Sequence, residues 1–177
     1  LKFGPETLTQ IVCARVQMVV RGPDGRAAEG WGETPLSVQW VWPSRLPYAE
    51  REAALCACCQ RVAAAWRKTE IAGHPLEIGH RFLEKTLPDL HRDFNASRTP
   101  ETSLPWLAAL VCCSPFDIAL YDAWATLSGR PVYDTFGSEL LASDLSAFLE
   151  PADGSSVRFG GRRLTEFLRP RADLLPA

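Results

Sequence analysis

A long apolar segment in the second half of the chain constrains the fold most. Thr102, Ser103 and Pro105 precede it, a pattern typical of a helix start, and Ser128-Gly129 follow it as a stop signal. Apolar side chains recur on most faces of the predicted helix: Leu107, Leu110, Val111, Phe116, Ile118, Ala119, Leu120 and Ala123. A helix of this kind is buried on most sides, so we expect the rest of the chain to surround it.

The N-terminal part of the chain predicts a β-hairpin. Residues 11–20 alternate loosely and are rich in β-branched side chains, as strands are. The sequence Gly22-Pro23-Asp24-Gly25 supplies the positive φ that a tight turn needs. Residues 28–33 are therefore expected to return antiparallel to the first strand. For residues 38–43, which are aromatic and end at a proline, we predict a loop rather than a regular helix.

Helical patterns follow the hairpin. One helix is predicted from about Tyr48 to Trp66, with apolar side chains three or four residues apart. A second helix begins after Gly73-His74-Pro75 and is expected to end at Leu87-Pro88. Together with the hairpin and the central helix, these elements predict an α+β fold.

The last forty residues differ in character from the rest. A short helical turn is predicted at 131–136, a strand at 144–149, and one or two amphipathic turns at 164–168. A strand followed by a helix is one β/α unit. We expect this part to be the beginning of a second structure.

Composition excludes several classes of function. The 177 residues are 46% hydrophobic and 23% charged, which suits a globular core, and the net charge of −2 comes without a basic stripe. Nucleic acid is therefore not an expected partner. No uninterrupted apolar run reaches the length of a membrane span and no signal segment opens the chain, so we predict no membrane partner and a cytoplasmic location.

The six cysteines, at positions 13, 56, 58, 59, 112 and 113, lack the spacing of zinc ligands. We interpret those in the helical stretches as small apolar side chains in a reducing compartment, with metal or redox chemistry as the alternative.

Two motifs in order carry a family resemblance. The first is Gly30-Trp31-Gly32-Glu33 at the end of the hairpin, and the second is Ser114-Pro115-Phe116-Asp117-Ile118-Ala119-Leu120-Tyr121-Asp122-Ala123, continued by residues 128–133 and Phe136-Gly137. Residues 1–150 resemble the mandelate racemase/muconate lactonising enzyme branch of the enolase superfamily. The resemblance implies a capping domain, built from a three-stranded meander and a helical bundle, at 1–141. It also implies that the first meander strand is missing and that 142–177 is the first β/α unit of a truncated barrel.

The resemblance also implies a chemistry. In this family, acidic groups at barrel strand ends bind magnesium, which stabilises the enolate formed when a base removes the proton α to a carboxylate. A complete barrel needs about 250 residues, whereas about 35 follow Leu141, and no Lys occurs after Lys85. We therefore expect a fragment, inactive alone, of a racemase, cycloisomerase or dehydratase, with no catalytic and no metal-binding residue in this chain. Its two ends, at Leu1 and Ala177, are interpreted as cut.

Expected partners are the missing barrel, a small carboxylate substrate and, as an open possibility, further copies of the chain. The resemblance places the substrate-capping contacts in two segments that close over the barrel. The predicted residues are Lys2, Phe3, Gly4, Thr34, Pro35, Leu36 and Trp40. For Trp40 and Trp42, apolar cover over a substrate and packing on the helices remain equal alternatives. The alternative function, from a different class, is a non-catalytic interaction module derived from such a cap.

Isolated polar residues are assigned structural roles. Glu33 is expected to be a partly buried acid paired with an Arg. Asp117 and Asp122 lie five positions apart and do not share a helix face, so structural pairing, with Arg130 or a barrel loop, is favoured over a metal site. The three histidines, His74, His80 and His91, are expected to be solvated or to cap helices.

Overall fold

The computed structural model describes residues 2–3, 6–7 and 10–169, and within that part the chain is α+β, as predicted. Strands β1 (Lys2–Phe3) and β2 (Glu6–Thr7) pair with each other and with no other described strand. Strands β3 (Cys13–Arg21) and β4 (Ala27–Pro35) pair antiparallel along their full length. The sheet of the long hairpin has these two strands alone among the described residues.

The long hairpin follows its sequence pattern. Gly25 has a φ of +81°, and the Gly22 N–H donates to the Arg26 carbonyl at 2.8 Å across the turn. Odd-numbered side chains of β3 are exposed, whereas even-numbered ones are half-buried toward the helices. This alternation is the signature of a sheet with one covered face, and the hairpin prediction is confirmed.

Helix α1 (Val38–Val41) is a single turn where a loop was predicted. The prediction was wrong because Pro43 lies beyond the turn, so its missing N–H does not affect the bonds from Val41 to the Ser37 carbonyl and from Trp42 to the Val38 carbonyl. Helix α2 (Tyr48–Trp66) has both of its predicted ends.

The second predicted helix is longer than expected. It runs as α3 (Pro75–Arg81), a π-helical turn (Phe82–Thr86) and α4 (Leu87–Asn95). The predicted end at Leu87-Pro88 was wrong because the π turn resets the hydrogen-bond register. Pro88 then lies in the first turn of α4, where its missing N–H removes no intrahelical bond.

Helix α5 (Trp106–Ser128) is the centre of the fold, as predicted, and contacts both strands of the hairpin, α2 and α3. It ends at Gly129, which is left-handed with a φ of +64°. The buried side chains of its first half join one core with α1, α2 and the π turn: Ala108, Ala109, Cys112, Cys113 and Phe116 from α5, with Val41, Leu55, Val62 and Phe82.

The same helix corrects one expectation. Segment Pro100–Ser128, whose most apolar 18-residue stretch has a mean hydropathy of 1.5, is long and apolar enough to cross a membrane, whereas no such segment was expected. In the structure, 56% of its most apolar stretch is buried against other parts of the chain. A central core helix meets the same criteria of length and hydropathy, and the position of α5 in the fold accounts for its composition.

The C-terminal part contains short 3₁₀ turns. The predicted turn after α5 is present at Val132–Thr135, and another lies at Leu164–Glu166. The strand predicted at 144–149 was wrong, since Leu145–Ala147 is a 3₁₀ turn. Asp144 accepts hydrogen bonds from the backbone and the hydroxyl of Ser146, at 3.0 and 2.6 Å, and such local bonds stabilise a turn against a strand.

Candidate functional site

The two motifs that carry the family resemblance are in direct contact. Gly30 and Gly32 of β4 are buried against the backbone of α5. A Cβ atom at Gly30 would lie 2.7 Å from the Cα of Ala123, and one at Gly32 would lie 2.7 Å from the amide nitrogen of Ala119. Both distances are shorter than any normal Cβ contact. Glycine at both positions is therefore required for β4 to approach α5 this closely.

Polar contacts fix the same joint. The Trp31 N–H donates to Asp122 Oδ2 at 2.8 Å, and the Thr34 hydroxyl lies 3.1 Å from the Ser114 hydroxyl. The expected structural role of Asp122 is therefore confirmed, but its partner is a backbone amide of β4 rather than Arg130, which pairs with Glu139 at 3.3 Å. We call this contact between β4 and α5 the glycine joint.

Glu33 lies beside the glycine joint. Its carboxylate is 3.6 Å from the guanidinium of Arg15, whose cation lies 5.2 Å from the centre of the Trp31 ring. The pairing with an arginine is confirmed. The expected partial burial is not, because 54% of the Glu33 side chain is exposed. An exposed ion pair of this kind contributes little to stability.

Asp117 lies on another face of α5 from Asp122, against Gly79 of α3. Burial raises the pKa of its carboxyl group above the ordinary range. Within residues 10–169, no group of three or more His, Cys, Asp or Glu side chains is arranged to hold a metal ion. The side chains described here thus do not fit a magnesium site, and the absence of metal ligands from the whole chain stays a prediction.

The predicted capping loop has a buried half and an exposed half. Leu36 is 2% exposed, and its N–H donates to the Val12 carbonyl at 2.8 Å. Trp42 is 3% exposed, whereas Trp40 on α1 is 55% exposed. Trp42 therefore takes the packing role of its two alternatives. Thr34, Pro35 and Trp40 lie together with Leu36 at the end of β4 and on α1, whereas Gly4 and the side chains of Lys2 and Phe3 lie outside the described residues.

Arg51 anchors this loop from α2, and the sequence analysis missed it. Its side chain is 1% exposed, and its guanidinium donates to the Trp42 carbonyl at 2.7 Å and to Gln39 Oε1 at 3.2 Å. A buried arginine needs such partners. Nothing in the local helical pattern distinguishes Arg51 from an exposed arginine, because its partners lie in another element.

A second polar network ties α3 to the segment after α5. The Leu76 N–H donates to His74 Nδ1 at 3.1 Å, and His74 Nε2 lies 3.0 Å from the Thr135 hydroxyl. Because Nδ1 accepts, the neutral ring carries its proton on Nε2 and donates it to Thr135, whose hydroxyl donates to the Val132 carbonyl at 2.6 Å. The capping role expected for His74 is confirmed, but the side chain is buried rather than solvated.

Glu77 completes that network. One carboxylate oxygen accepts from the His74 N–H at 3.1 Å, and the other accepts from the amide and hydroxyl of Ser143 at 2.9 and 2.6 Å. Burial is the largest single influence and opposes ionisation, but the bonds from Ser143 and from the His74 N–H act together against it, and the pKa of Glu77 is lowered. Burial also lowers the pKa of His74, so the ring stays neutral. The His-x-x-Glu spacing before an apolar helix, a capping-box pattern, was the signal available in the sequence.

The other two histidines, His80 and His91, each contact an aromatic ring, and His91 also contacts a backbone carbonyl. His91 Nε2 lies 2.7 Å from the Leu104 carbonyl, and the ring of His80 is 5.2 Å from that of Phe148. Both are half-buried, with partners in the fold, so neither is fully solvated.

The cysteines of α2 and α5 are free thiols at the contact between those helices. Cys58, Cys112 and Cys113 are buried, and the Cys112 thiol donates to the Leu55 carbonyl at 3.5 Å. Contacts with the Cys58 and Cys59 thiols raise the pKa of Cys112, and burial raises that of Cys113 to about 12. The Cys112 and Cys113 thiols are therefore poor nucleophiles, which agrees with the interpretation of these two as small core side chains.

An open groove of about 1330 Å³ runs along the outer side of β3. Its lining includes half-buried β3 side chains and residues of α2 and α5: Val16, Met18, Val20, Ala63, Trp66 and Leu120. We call it the β3 groove.

Comparison with known proteins identifies no relative. No known family's sequence profile matches the chain, no curated protein matches its sequence, and no solved structure matches its fold.

Proposed function

We propose that this chain is the capping domain of an enolase-superfamily enzyme of the mandelate racemase/muconate lactonising branch. In this proposal the intact enzyme is a racemase, cycloisomerase or dehydratase that forms an enolate from a small carboxylate. The chain described here covers the substrate and is inactive without the barrel. The missing barrel is its partner, and residues 142–177 lead into it.

The glycine joint is the observation that carries the proposal. Gly-Trp-Gly-Glu and the Ser114–Ala123 motif are about eighty residues apart in the sequence, and each could occur by chance. In the structure, Gly30 and Gly32 contact the backbone of that motif, and the Trp31 amide bonds Asp122. The two motifs on which the resemblance depends thus form one structural unit, which supports reading them as a single family signature.

The exposed half of the loop supports the capping role. Trp40 presents 55% of its surface on α1, which follows the end of the hairpin at Pro35. An aromatic side chain there can exclude water from a carboxylate bound beneath it. Leu36, which is buried, is assigned instead to holding the loop, together with Arg51 from α2.

The proposal assigns magnesium to the barrel. The ion would stabilise the negative charge of the enolate. Of the acids described here, Asp122 is committed to the Trp31 amide, Glu33 to Arg15 and Glu77 to Ser143. The role of this chain in the reaction is therefore to cover and orient the substrate.

The gene itself offers the test. The reading frame beyond Ala177 is determined, and the longer product and the 177-residue chain are both titrated with Mg²⁺ in a calorimeter. Both are then incubated with small carboxylates in D₂O to follow exchange of the α-proton. The proposal expects Mg²⁺ binding and exchange in the longer product alone. A stop codon at Ala177 in a well-expressed protein, or tight Mg²⁺ binding to the short chain, would contradict it.

The second candidate function is a non-catalytic interaction module derived from a cap. The β3 groove favours it, because an apolar groove left open is a typical binding surface. The reading frame separates the two candidates, since a frame that continues into a barrel with acidic strand ends contradicts the second. Further copies of the chain are the remaining expected partner, and sedimentation of the purified chain tests for such self-association.

A further inference from the structure

Three cysteine thiols meet where α2 packs on α5. Cys58 and Cys59 follow Leu55 by three and four residues, so the three side chains lie on neighbouring turns of one side of α2. The Cys112 thiol is 3.5 Å from the Leu55 carbonyl, and the Cys59 thiol is 3.9 Å from the Cys112 carbonyl. The Cys112 thiol is also in hydrogen-bond contact with the thiols of Cys58 and Cys59. The two helices therefore meet through sulfur atoms.

This contact lies inside the helical part of the fold. Cys58 is 4% exposed and Cys112 is 0% exposed, and neither lines the β3 groove. Both belong to the core that α1, α2, α5 and the π turn share. Their proximity follows from the packing of α2 on α5, and it depends on no further segment or partner.

The surroundings of Cys58 favour its thiolate form. The hydrogen bond from the Cys112 thiol lowers the pKa of Cys58, and burial opposes this effect. The positive charges of Arg61 and Arg98 lower it further. Both guanidinium groups lie on the ring of Phe94 in α4, 4.9 and 4.7 Å from its centre, and neither forms an ion pair in the part of the chain that the structure describes. The thiolate is the reactive form of cysteine, so Cys58 is positioned to react first.

We propose that Cys58 and Cys112 are a redox pair, in which hydrogen peroxide converts the two thiols into a disulfide that links α2 to α5. The Cys58 thiolate attacks one oxygen of the peroxide, the O–O bond breaks, and Cys58 becomes a sulfenic acid. The other oxygen leaves as water with the proton that Cys58 released. The Cys112 sulfur then attacks the Cys58 sulfur, so that an S–S bond forms and the S–O bond breaks, and hydroxide leaves as water with the Cys112 proton. The two thiols lose two electrons and two protons, and one hydrogen peroxide becomes two waters.

Cys112 becomes a better nucleophile once Cys58 has reacted. The contact with the Cys58 thiol is the largest cause that raises the pKa of Cys112. Conversion of Cys58 to an uncharged sulfenic acid removes the negative charge that this contact opposes to a Cys112 thiolate. The first step therefore prepares the second.

Other pairings of the same thiols fit less well. Adjacent residues of a helix do not face each other, which disfavours a bond between Cys58 and Cys59 or between Cys112 and Cys113. The Cys59 thiol also contacts Cys112, but it is directed at the Cys112 carbonyl. Cys59 is therefore the competitor that an experiment has to exclude.

The test uses the 177-residue chain without any substitution. The chain is reduced, separated from the reductant and treated with an equimolar amount of hydrogen peroxide, and the remaining thiols are alkylated. Arg51 and Arg61 bracket all the cysteines of α2, so one tryptic peptide carries them, and tandem mass spectrometry of the linked peptide assigns the bond. The intact mass should fall by two hydrogen atoms, and the bond should join Cys58 to Cys112. The midpoint of urea unfolding should rise, because the link restrains the unfolded chain, and dithiothreitol should reverse both changes.

Matched variants separate the two neighbouring thiols of α2. Cys58→Ser should lower the yield of the α2–α5 link at least about tenfold, whereas Cys59→Ser should leave it unchanged. Cys13→Ser removes an exposed thiol of β3 and should also leave the yield unchanged.

The proposal is overturned if peroxide leaves Cys58 and Cys112 unlinked, or if the bond joins Cys59 rather than Cys58 to Cys112. It is also overturned if the linked chain unfolds at the same urea concentration as the reduced chain. The experiment involves neither Mg²⁺ nor a carboxylate substrate, so its outcome is independent of the capping function.

Discussion

The two edges of the long hairpin differ in how completely they are used. On β4, Gly30 and Gly32 contact α5, and the outward-facing amide of Trp31 bonds Asp122. On β3, the corresponding outward groups, including those of Gln17 and Val19, bond no described residue. One edge of the hairpin is closed by a helix, and the other borders a groove.

The difference shows what glycine contributes to this fold. A strand with side chains at positions 30 and 32 would be held away from α5, and the Trp31 amide would lose its reach to Asp122. Valine and methionine on β3 instead hold that strand above the groove. The absence of side chains at positions 30 and 32 therefore allows β4 to lie against the backbone of α5.

The largest predicted effect comes from adding a side chain at the glycine joint. Gly32→Ala puts a methyl group into the backbone of α5 near Ala119, and we expect a loss of about 3 kcal/mol in unfolding free energy, because the helix backbone cannot yield. Urea denaturation measures it. Gly160→Ala is the matched control, because a Cβ there meets no atom within 4 Å; equal losses in both variants would contradict a close contact.

The second prediction concerns the far wall of the groove, which includes Gly73 and Pro75 next to His74. His74→Asn keeps a capping side chain but removes the ring that bonds Thr135. The expected loss is about 2 kcal/mol, from a lost buried hydrogen bond and poorer packing. Thermal or urea unfolding measures this loss of stability. The control variant is Asp153→Asn, at an exposed turn. Asn95→Ser is not suitable as a control, because Asn95 itself bonds Leu104.

Acidic pH should lower the stability of the fold through the same residue, His74, and through Glu77. The folded-state pKa of His74 lies below its ordinary 6.5, so the unfolded chain binds more protons as the pH falls below that value, and stability decreases. Glu77, whose pKa is below 4.5 in the fold, adds a loss of the same sign at still lower pH. The stability difference between about pH 7.5 and about pH 5.5 should shrink in His74→Asn. An unchanged difference would show that another group is responsible.

A smaller effect is expected at the polar contact of the closed edge. Asp122→Ala leaves the Trp31 N–H without its 2.8 Å partner, at an expected cost of about 1 kcal/mol, because the site is exposed enough for water to replace the carboxylate. Exchange of the Trp31 amide should also become faster. A variant in which that amide keeps its slow exchange would mean that the bond to Asp122 does not form.

The smallest effect is expected on the open edge. Val19 is 53% exposed on β3, and Val19→Thr should change the unfolding free energy by less than about 0.5 kcal/mol, because its surroundings are solvent and an unpaired strand edge. Denaturation under the conditions used for Gly32→Ala makes the two edges directly comparable. A large loss would reveal a contact on β3 that the described residues do not provide.

The sequence predicted the elements whose signals are local. The hairpin turn at Gly25, both ends of α2 and the stop of α5 at Gly129 depend on neighbouring residues and appear where expected. The errors arose where a side-chain contact or a change in helical hydrogen-bond register overrode the preference of the local sequence. Pro88 follows a π turn, and the bonds between Asp144 and Ser146 favour a 3₁₀ turn over a strand.

The candidate site was less predictable for the same reason. The glycine joint depends on two motifs meeting across about eighty residues, and the anchoring of Trp42 depends on Arg51 in another helix. The capping loop was located, but which of its side chains are exposed follows from packing. Burial of Leu36 and Trp42 and exposure of Trp40 could not be read from a stretch in which all three are apolar.

Native-state hydrogen exchange of the 177-residue chain tests the asymmetry of the hairpin most directly. The account predicts slow exchange at Trp31 and at the even-numbered amides of β3, and fast exchange at Arg15, Gln17 and Val19. Slow exchange at those three residues in the monomer, or fast exchange at Trp31, would contradict the assignment of one closed and one open edge.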